Sequence, residues 1–283
     1  MLSIRKMLSY CLIAICIIIS SFVSNPASAE LIQGPISTIN ALTNNLIYIH
    51  STFADKISTA RYSGSLSENI LSTATVAEFN IWTLAKDWQY KIQPNFQESK
   101  TQIIEYNKTT FDNKLKNIQN QIEQNPASKE SIRNDLVSLN TDITAFKDNF
   151  AELITQIGGF KQSIAQNSQQ LQTVNSQIQT AIDGYKLIDA KQKAAPAAVL
   201  YSHINTILNN TNGPEPDGYF VPLSMINSLE SLNTNLNELD SMLSSLVEEV
   251  DHASQLNPTF MKARLQTVIE LWKVEIVDKL EKI

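Results

Sequence analysis

The chain has 283 residues, with 22 Lys+Arg against 28 Asp+Glu and a formal net charge of −6. An acidic chain with no basic cluster lacks the phosphate contacts that dominate nucleic-acid affinity, and it lacks the polybasic patch of a charge-recruited membrane-surface protein. Seven glycines are few for a sheet-and-turn protein, and helical periodicity recurs almost throughout, so the expected class is all-α.

The chain begins "MLSIRKMLSYCLIAICIIISSFVSNPASAE". Arg5 and Lys6 precede an apolar run from Leu8 to Val23, and Ala27-Ser28-Ala29 supplies small residues for cleavage. That is the layout of a secretory signal peptide covering 1–29; the competing reading is an uncleaved anchor, since the run approaches the ~20 residues of a spanning helix. Cleavage near Ala29 leaves 254 residues, a charge of −8 and no cysteine, because Cys11 and Cys16 both lie in the leader. The expectation is a protein secreted to the periplasm or the extracellular space, without disulfides or thiolate chemistry.

Residues 30–283 read as one domain. Ile39, Leu42, Leu46, Ile49 and Phe53 recur at alternating steps of three and four. After a break at Tyr62-Ser63-Gly64-Ser65, the same rhythm takes in Ile70, Ala74, Ala77, Ile81, Leu84 and Trp88, and Pro94 punctuates it. A third stretch uses Ile104, Phe111, Leu115, Ile118 and Ile122 and stops at Asn125-Pro126, since the residue before proline is driven from the helical region. Ser128 is the expected N-cap of the next helix.

That helix carries the strongest pattern: Ile132, Leu136, Leu139, Ile143, Phe146, Phe150, Leu153, Ile157, Phe160, Ile164, Asn167, Leu171, Val174, Ile178, Ala181, Tyr185 and Ile188. A 3.5-residue apolar repeat of this length predicts a seam in left-handed supercoiled packing. Asn167 is its one fully polar member, read either as a register-fixing buried Asn or as a solvated wobble. The seam passes through Gly158 and Gly159 in step. The pair costs the helix roughly 2 kcal/mol, each buried Leu, Ile or Phe repays about 1.5–3, and continuity is expected, with Gly158 and Gly159 the candidate hinge. Residues 131–193 as one helix would span about 95 Å, roughly twice the ~46 Å diameter of a compact globule of this size. The expected fold is an elongated antiparallel helical bundle with long coiled-coil-like helices.

Residues 194–222 change character. They hold four prolines and two glycines, and the 21 residues from Ala194 to Pro214 carry no Asp, Glu, Lys or Arg. Leu200, Ile204 and Ile207 predict a short helix and "NGPEPDG" a loop, together a small inserted head segment. Its apolar members Val199, Leu200, Tyr201, Tyr219, Phe220 and Val221 are the candidate membrane or partner contact; the plain alternative is the cap of a helical hairpin. The segment is too polar to span a membrane as a helix. The rhythm returns in Met225, Leu229, Leu232, Leu236, Leu239, Leu243, Leu246 and Val250, and a last helix opening at Pro258 aligns Leu265, Val268, Trp272, Ile276 and Leu280.

Catalytic signatures are missing. His50, His203 and His252 lie far apart, no HExxH occurs, and no G-x-S-x-G or glycine-rich phosphate loop is present. Glu248, Glu249 and Asp251 read as a solvated helix face, and Trp82, Trp88 and Trp272 as core. No enzyme activity, cofactor or metal is expected.

The long helix Ile132–Ile188, the insertion Ala194–Pro222 and the closing "MKARLQTVIELWKVEIVDKLEKI" together resemble the α-helical pore-forming toxin superfamily, which includes cytolysin A and the Bacillus haemolysin BL and non-haemolytic enterotoxin components. The resemblance implies a helical bundle whose last helix packs back along it. It also implies function through self-oligomerisation or other helical toxin components at a membrane. Members that insert carry a strongly hydrophobic hairpin in the head; residues 194–222 hold none, which implies a soluble or partner-dependent component. The alternative from a different class is a periplasmic or surface coiled-coil adaptor without toxic action.

Overall fold

The computed structural model describes residues 34–124, 129–187, 190–212, 220–221, 223–253 and 256–282. The predicted leader at 1–29, the stop at Asn125-Pro126, the cap Ser128, Ile188 and most of "NGPEPDG" lie outside them. Every regular element among the described residues is helical: α1 (Pro35–Tyr62), α2 (Glu68–Asp87), a π-helical turn π1 (Trp88–Ile92), α3 (Gln93–Tyr106), π2 (Asn107–Phe111), α4 (Asp112–Gln124), α5 (Lys129–Leu187), α6 (Lys191–Thr211), α7 (Leu223–His252), α8 (Pro258–Glu270), π3 (Leu271–Val277) and α9 (Asp278–Lys282).

Two long rods form the frame. One is α5, 59 residues and so about 88 Å long. The other is α2–π1–α3–π2–α4, which runs without a turn from Glu68 to Gln124. Contacts at Tyr185–Ser65, Asn167–Asn80, Phe160–Trp88, Asp142–Tyr106 and Asp135–Asn117 set the rods antiparallel along their whole length. Beside one half of this pair lie α1 and α6, completing a first four-helix bundle through Asn45–Asn210, His50–Glu78 and Asn175–Asn205. Beside the other half lie α7 and α8–π3–α9. They complete a second bundle through Lys147–Asp240, Lys262–Glu123, Lys273–Asp112 and Asn235–Glu275.

The seam positions of α7, from Met225 to Val250, are buried as the pattern requires. In α5 the burial follows prediction from Ile132 to Ile164, with Phe146 only half-covered, and again at Leu171, Val174 and Ile178, but alternate positions of this second stretch move on by one residue. Ser168 and Ile182 are buried where Asn167 and Ala181 were expected. A straight α-helix drifts about 20° per heptad against a 3.5 repeat, and one additional four-residue step absorbs the drift. Asn167 therefore sits at the flank, where its amide oxygen accepts from Asn80 at 3.0 Å. The buried polar members are Ser168 and Asn175, and the Asn175 Nδ2 donates to Asn205 at 2.7 Å.

Pro94 was expected to end a helix, and it does not. Proline removes an amide donor and its ring collides with the carbonyl four residues back. Just before it the helix widens: the Gln93 amide reaches the carbonyl of Trp88, five residues earlier. The π turn makes room for the ring, and the rod continues into α3. Pro196 is likewise accommodated inside α6, which is longer than the short helix predicted.

Candidate functional site

Gly158 and Gly159 lie within the unbroken helix α5 and face solvent. A Cβ built on either meets no atom within 4 Å. No close packing demands glycine here, so the pair weakens the helix by roughly 2 kcal/mol relative to alanine with no packing gain.

The predicted contact residues divide. Val199 is 48% exposed, Tyr201 is half-buried, and Leu200, Phe220 and Val221 are at most 3% exposed; Tyr219 is outside the described residues. Leu200 fills the core of the first bundle on α6. Phe220 sits edge-on to Phe160, with ring centres 5.6 Å apart, and Phe160 in turn lies 5.1 Å from Trp88. The structure thus brings the end of the inserted segment against α5 beside Gly159, whereas Val199 and Tyr201 lie further up α6.

Three clusters carry the remaining chemistry. In the first bundle, the His50 Nδ1–H donates to both Glu78 oxygens at 2.9 and 3.0 Å, and its ring stacks on Trp82 at 4.2 Å. Glu78 is 4% exposed, and burial raises its carboxyl pKa above the ordinary value despite the histidine. Trp82, expected in the core, is half-buried at this surface; Trp88 and Trp272 are fully buried. On the other flank of α1, His203 Nε2 donates to the carbonyl of Ile49 at 3.3 Å beside the Phe53 ring. Burial holds its pKa below the usual value.

The second bundle gathers Tyr106, Phe111, Phe146 and Trp272, with ring centres between 4.7 and 6.3 Å. Two π turns, π2 and π3, bring these rings together. The Trp272 indole donates to Asn107 at 2.9 Å, and the Tyr106 hydroxyl to Asp142 at 2.7 Å. Burial, reinforced by that carboxylate, drives the tyrosine pKa upward. Every polar handle on the cluster is used internally, which marks it as packing rather than a binding platform.

The π turns were not anticipated, yet the spacing holds their signal. Trp88, Ile92 and Phe96 are buried at two consecutive steps of four, and Ile103 to Phe111 takes eight residues where a heptad takes seven. Val268, Trp272, Ile276 and Leu280 run in fours through π3. Repeated fours outpace a 3.6-residue helix, and an inserted residue in a wider turn restores the facing.

Among the described residues no group of three or more His, Cys, Asp or Glu could hold a metal ion, and no helix is long and apolar enough to cross a membrane.

This is an all-α bundle built on two long antiparallel rods. The family model for the Bacillus haemolytic enterotoxin (HBL) matches residues 55–197, just over half the chain and spanning both rods. The chain belongs to that family, one of α-helical pore-forming toxins. Among curated proteins none matches it.

Proposed function

We propose that the protein is a secreted component of the helical toxin type that acts by oligomeric, partner-dependent assembly at a membrane. Family membership over residues 55–197 carries this reading. The leader at 1–29 directs export. Val199 and Tyr201 make the first contact with lipid or a partner, and Leu200, Phe220 and Val221 follow once the packing of α6 and of the segment after it against α5 loosens. Gly158-Gly159 is where the long helix changes its bend during assembly. The absence of a spanning helix among the described residues fits a component that needs partners to perforate a bilayer. The test is lysis of red cells and leakage of liposomes by the purified protein, alone and mixed with secreted helical proteins encoded beside it. Activity is expected in a mixture and not alone; the absence of both binding and lysis in every mixture defeats the proposal. Replacing both glycines with alanine should stabilise the soluble form and reduce activity in the mixture.

A further inference from the structure

Both rods have a weak point, and the two weak points face each other. On α5 it is Gly158-Gly159; on the opposing rod it is π1 with Pro94 immediately after it. The Phe160–Trp88 ring contact fixes them at the same level. All other helices stop within about three turns of that level. α1 starts at Pro35, whose level follows from the Asn40–Trp88 hydrogen bond of 2.8 Å. α9 ends at Lys282, with the Glu281 carbonyl accepting from Lys100. α6 ends at Thr211 and α7 begins at Leu223, either side of Phe220, which packs on Phe160. Each inter-helix hydrogen bond and ion pair described above stays within one bundle.

An open cleft marks the same level. It measures about 450 Å³ and is lined by the two rods alone, with Asp87, Tyr90 and Asn95 on one side and Gln156, Gly159 and Ser163 on the other. A second, smaller cleft continues it past Glu98 and Glu152. A bend that closes this groove therefore meets empty space before it meets side chains.

We infer that Gly158-Gly159 and the Trp88–Ile92 turn form one joint, about which the first bundle tilts as a unit against the second. A glycine pair in one rod alone would be splinted by an intact neighbour; a widened turn opposite it removes the splint. The buried Trp88–Phe160–Phe220 ring cluster is the pivot, because these tilted and edge-on apolar contacts shift without unmaking a hydrogen bond between the rods. The inference rests on the fold alone and not on the toxin reading, so its test contains no lipid.

The full chain with Cys11 and Cys16 replaced by serine offers a cysteine-free background. Spin labels at exposed Ser202 on α6 and Glu238 on α7 report distances across the joint. Labels at Ser202 with Thr73, and at Glu238 with Lys116, report within each bundle. Pulsed dipolar spectroscopy should give a cross-joint distribution at least twice as broad as either internal pair. Gly158→Ala with Gly159→Ala, which the open space accepts without clash, should narrow it to the internal width and leave the internal pairs unchanged. A cross-joint distribution as narrow as the internal ones, or one that the double replacement does not narrow, overturns the inference.

Discussion

The two bundles share two rods and bury different things. All six buried polar side chains among the described residues, Thr43, Ser65, Glu78, Ser168, Asn175 and Thr211, belong to the first bundle. Its rods meet over small residues too, with Ala74, Ala77 and Ala85 fully buried on α2. The second bundle has a leucine-rich seam on α7 and the Tyr106–Phe111–Phe146–Trp272 cluster. Ion pairs at Lys147–Asp240, Lys114–Asp142, Lys262–Glu123 and Lys273–Asp112 clasp its helices from outside. Apolar burial scales with area, whereas buried polar groups must recover their desolvation through hydrogen bonds. Unpartnered buried polar atoms occur in both halves: Ser168 Oγ and Asn175 Oδ1 in the first bundle, Gln121 Oε1, Asn233 Oδ1, Glu249 Oε2 and Arg264 Nε in the second. The comparison teaches that one fold holds an anchoring half and a half closer to opening.

The sharpest way to break that contrast is Trp272→Ala. Removing a fully buried indole should cost about 3–5 kcal/mol. In amide hydrogen exchange resolved by helix, protection should fall across α4, α7 and α8 and hold in α1 and α6. Uniform loss over the whole chain would show a single cooperative unit instead. Next in size, Gly158→Ala with Gly159→Ala should stabilise the shared rod by up to roughly 2 kcal/mol in urea denaturation, because neither new methyl meets a neighbour.

Lys147→Ala tests the clasp. Burial pushes the Asp240 carboxyl up, but hydrogen bonds from Lys147 and Thr144 at 2.7 Å outweigh it, and its pKa stands below the usual value. A carboxylate with a depressed folded pKa stabilises the fold above its unfolded value and loses that contribution as pH falls through the folded one. The variant should cost about 1.5 kcal/mol at neutral pH, with the difference from the parent vanishing in acid.

The smallest effect belongs to His203 in the first bundle. Its folded pKa is depressed below 6.5, chiefly by burial, with Lys56 adding to the effect against the Ile49 hydrogen bond. The unfolded chain therefore binds the extra proton first. Stability is full above about 6.5 and declines as pH drops through the folded value, by at most about 1.4 kcal/mol per pH unit and less for a partly exposed ring. Glu78 works in the opposite sense: its raised folded pKa favours the fold below 4.5, and the advantage fades as pH rises through that folded value. His203→Gln should flatten the decline near pH 6 in exchange of α1 and α6 amides.

Much of this architecture was legible in the sequence because a heptad seam is a local signal. The α7 positions and Leu265, Val268, Trp272, Ile276 and Leu280 are buried as read. Helix continuity through Gly158-Gly159 followed from weighing propensity against burial. What escaped were features set by the partner helix. Asn167 lost its seam position to Ser168 because drift accumulates over a rod this long, and Trp82 went to the surface because His50 was there to stack on. Pro94 was read as a stop because a π turn leaves no composition mark, only a run of fours. For the candidate site, Leu200, Phe220 and Val221 looked like a free contact surface because the sequence does not say that Phe160 covers one end of the segment.

The π turns also bear on how such a chain changes over time. When one of two facing rods gains a residue, the pair must either slip past each other or let the longer rod bulge. Slippage would misalign every ring and charge beyond the insertion, while a bulge confines the disturbance to a few carbonyls. Here the α2–α4 rod swells twice and α5 not at all, so antiparallel matching survives from Tyr185–Ser65 to Asp135–Asn117. A scaffold that absorbs single-residue additions in this way can alter its length in small increments without ever being rebuilt.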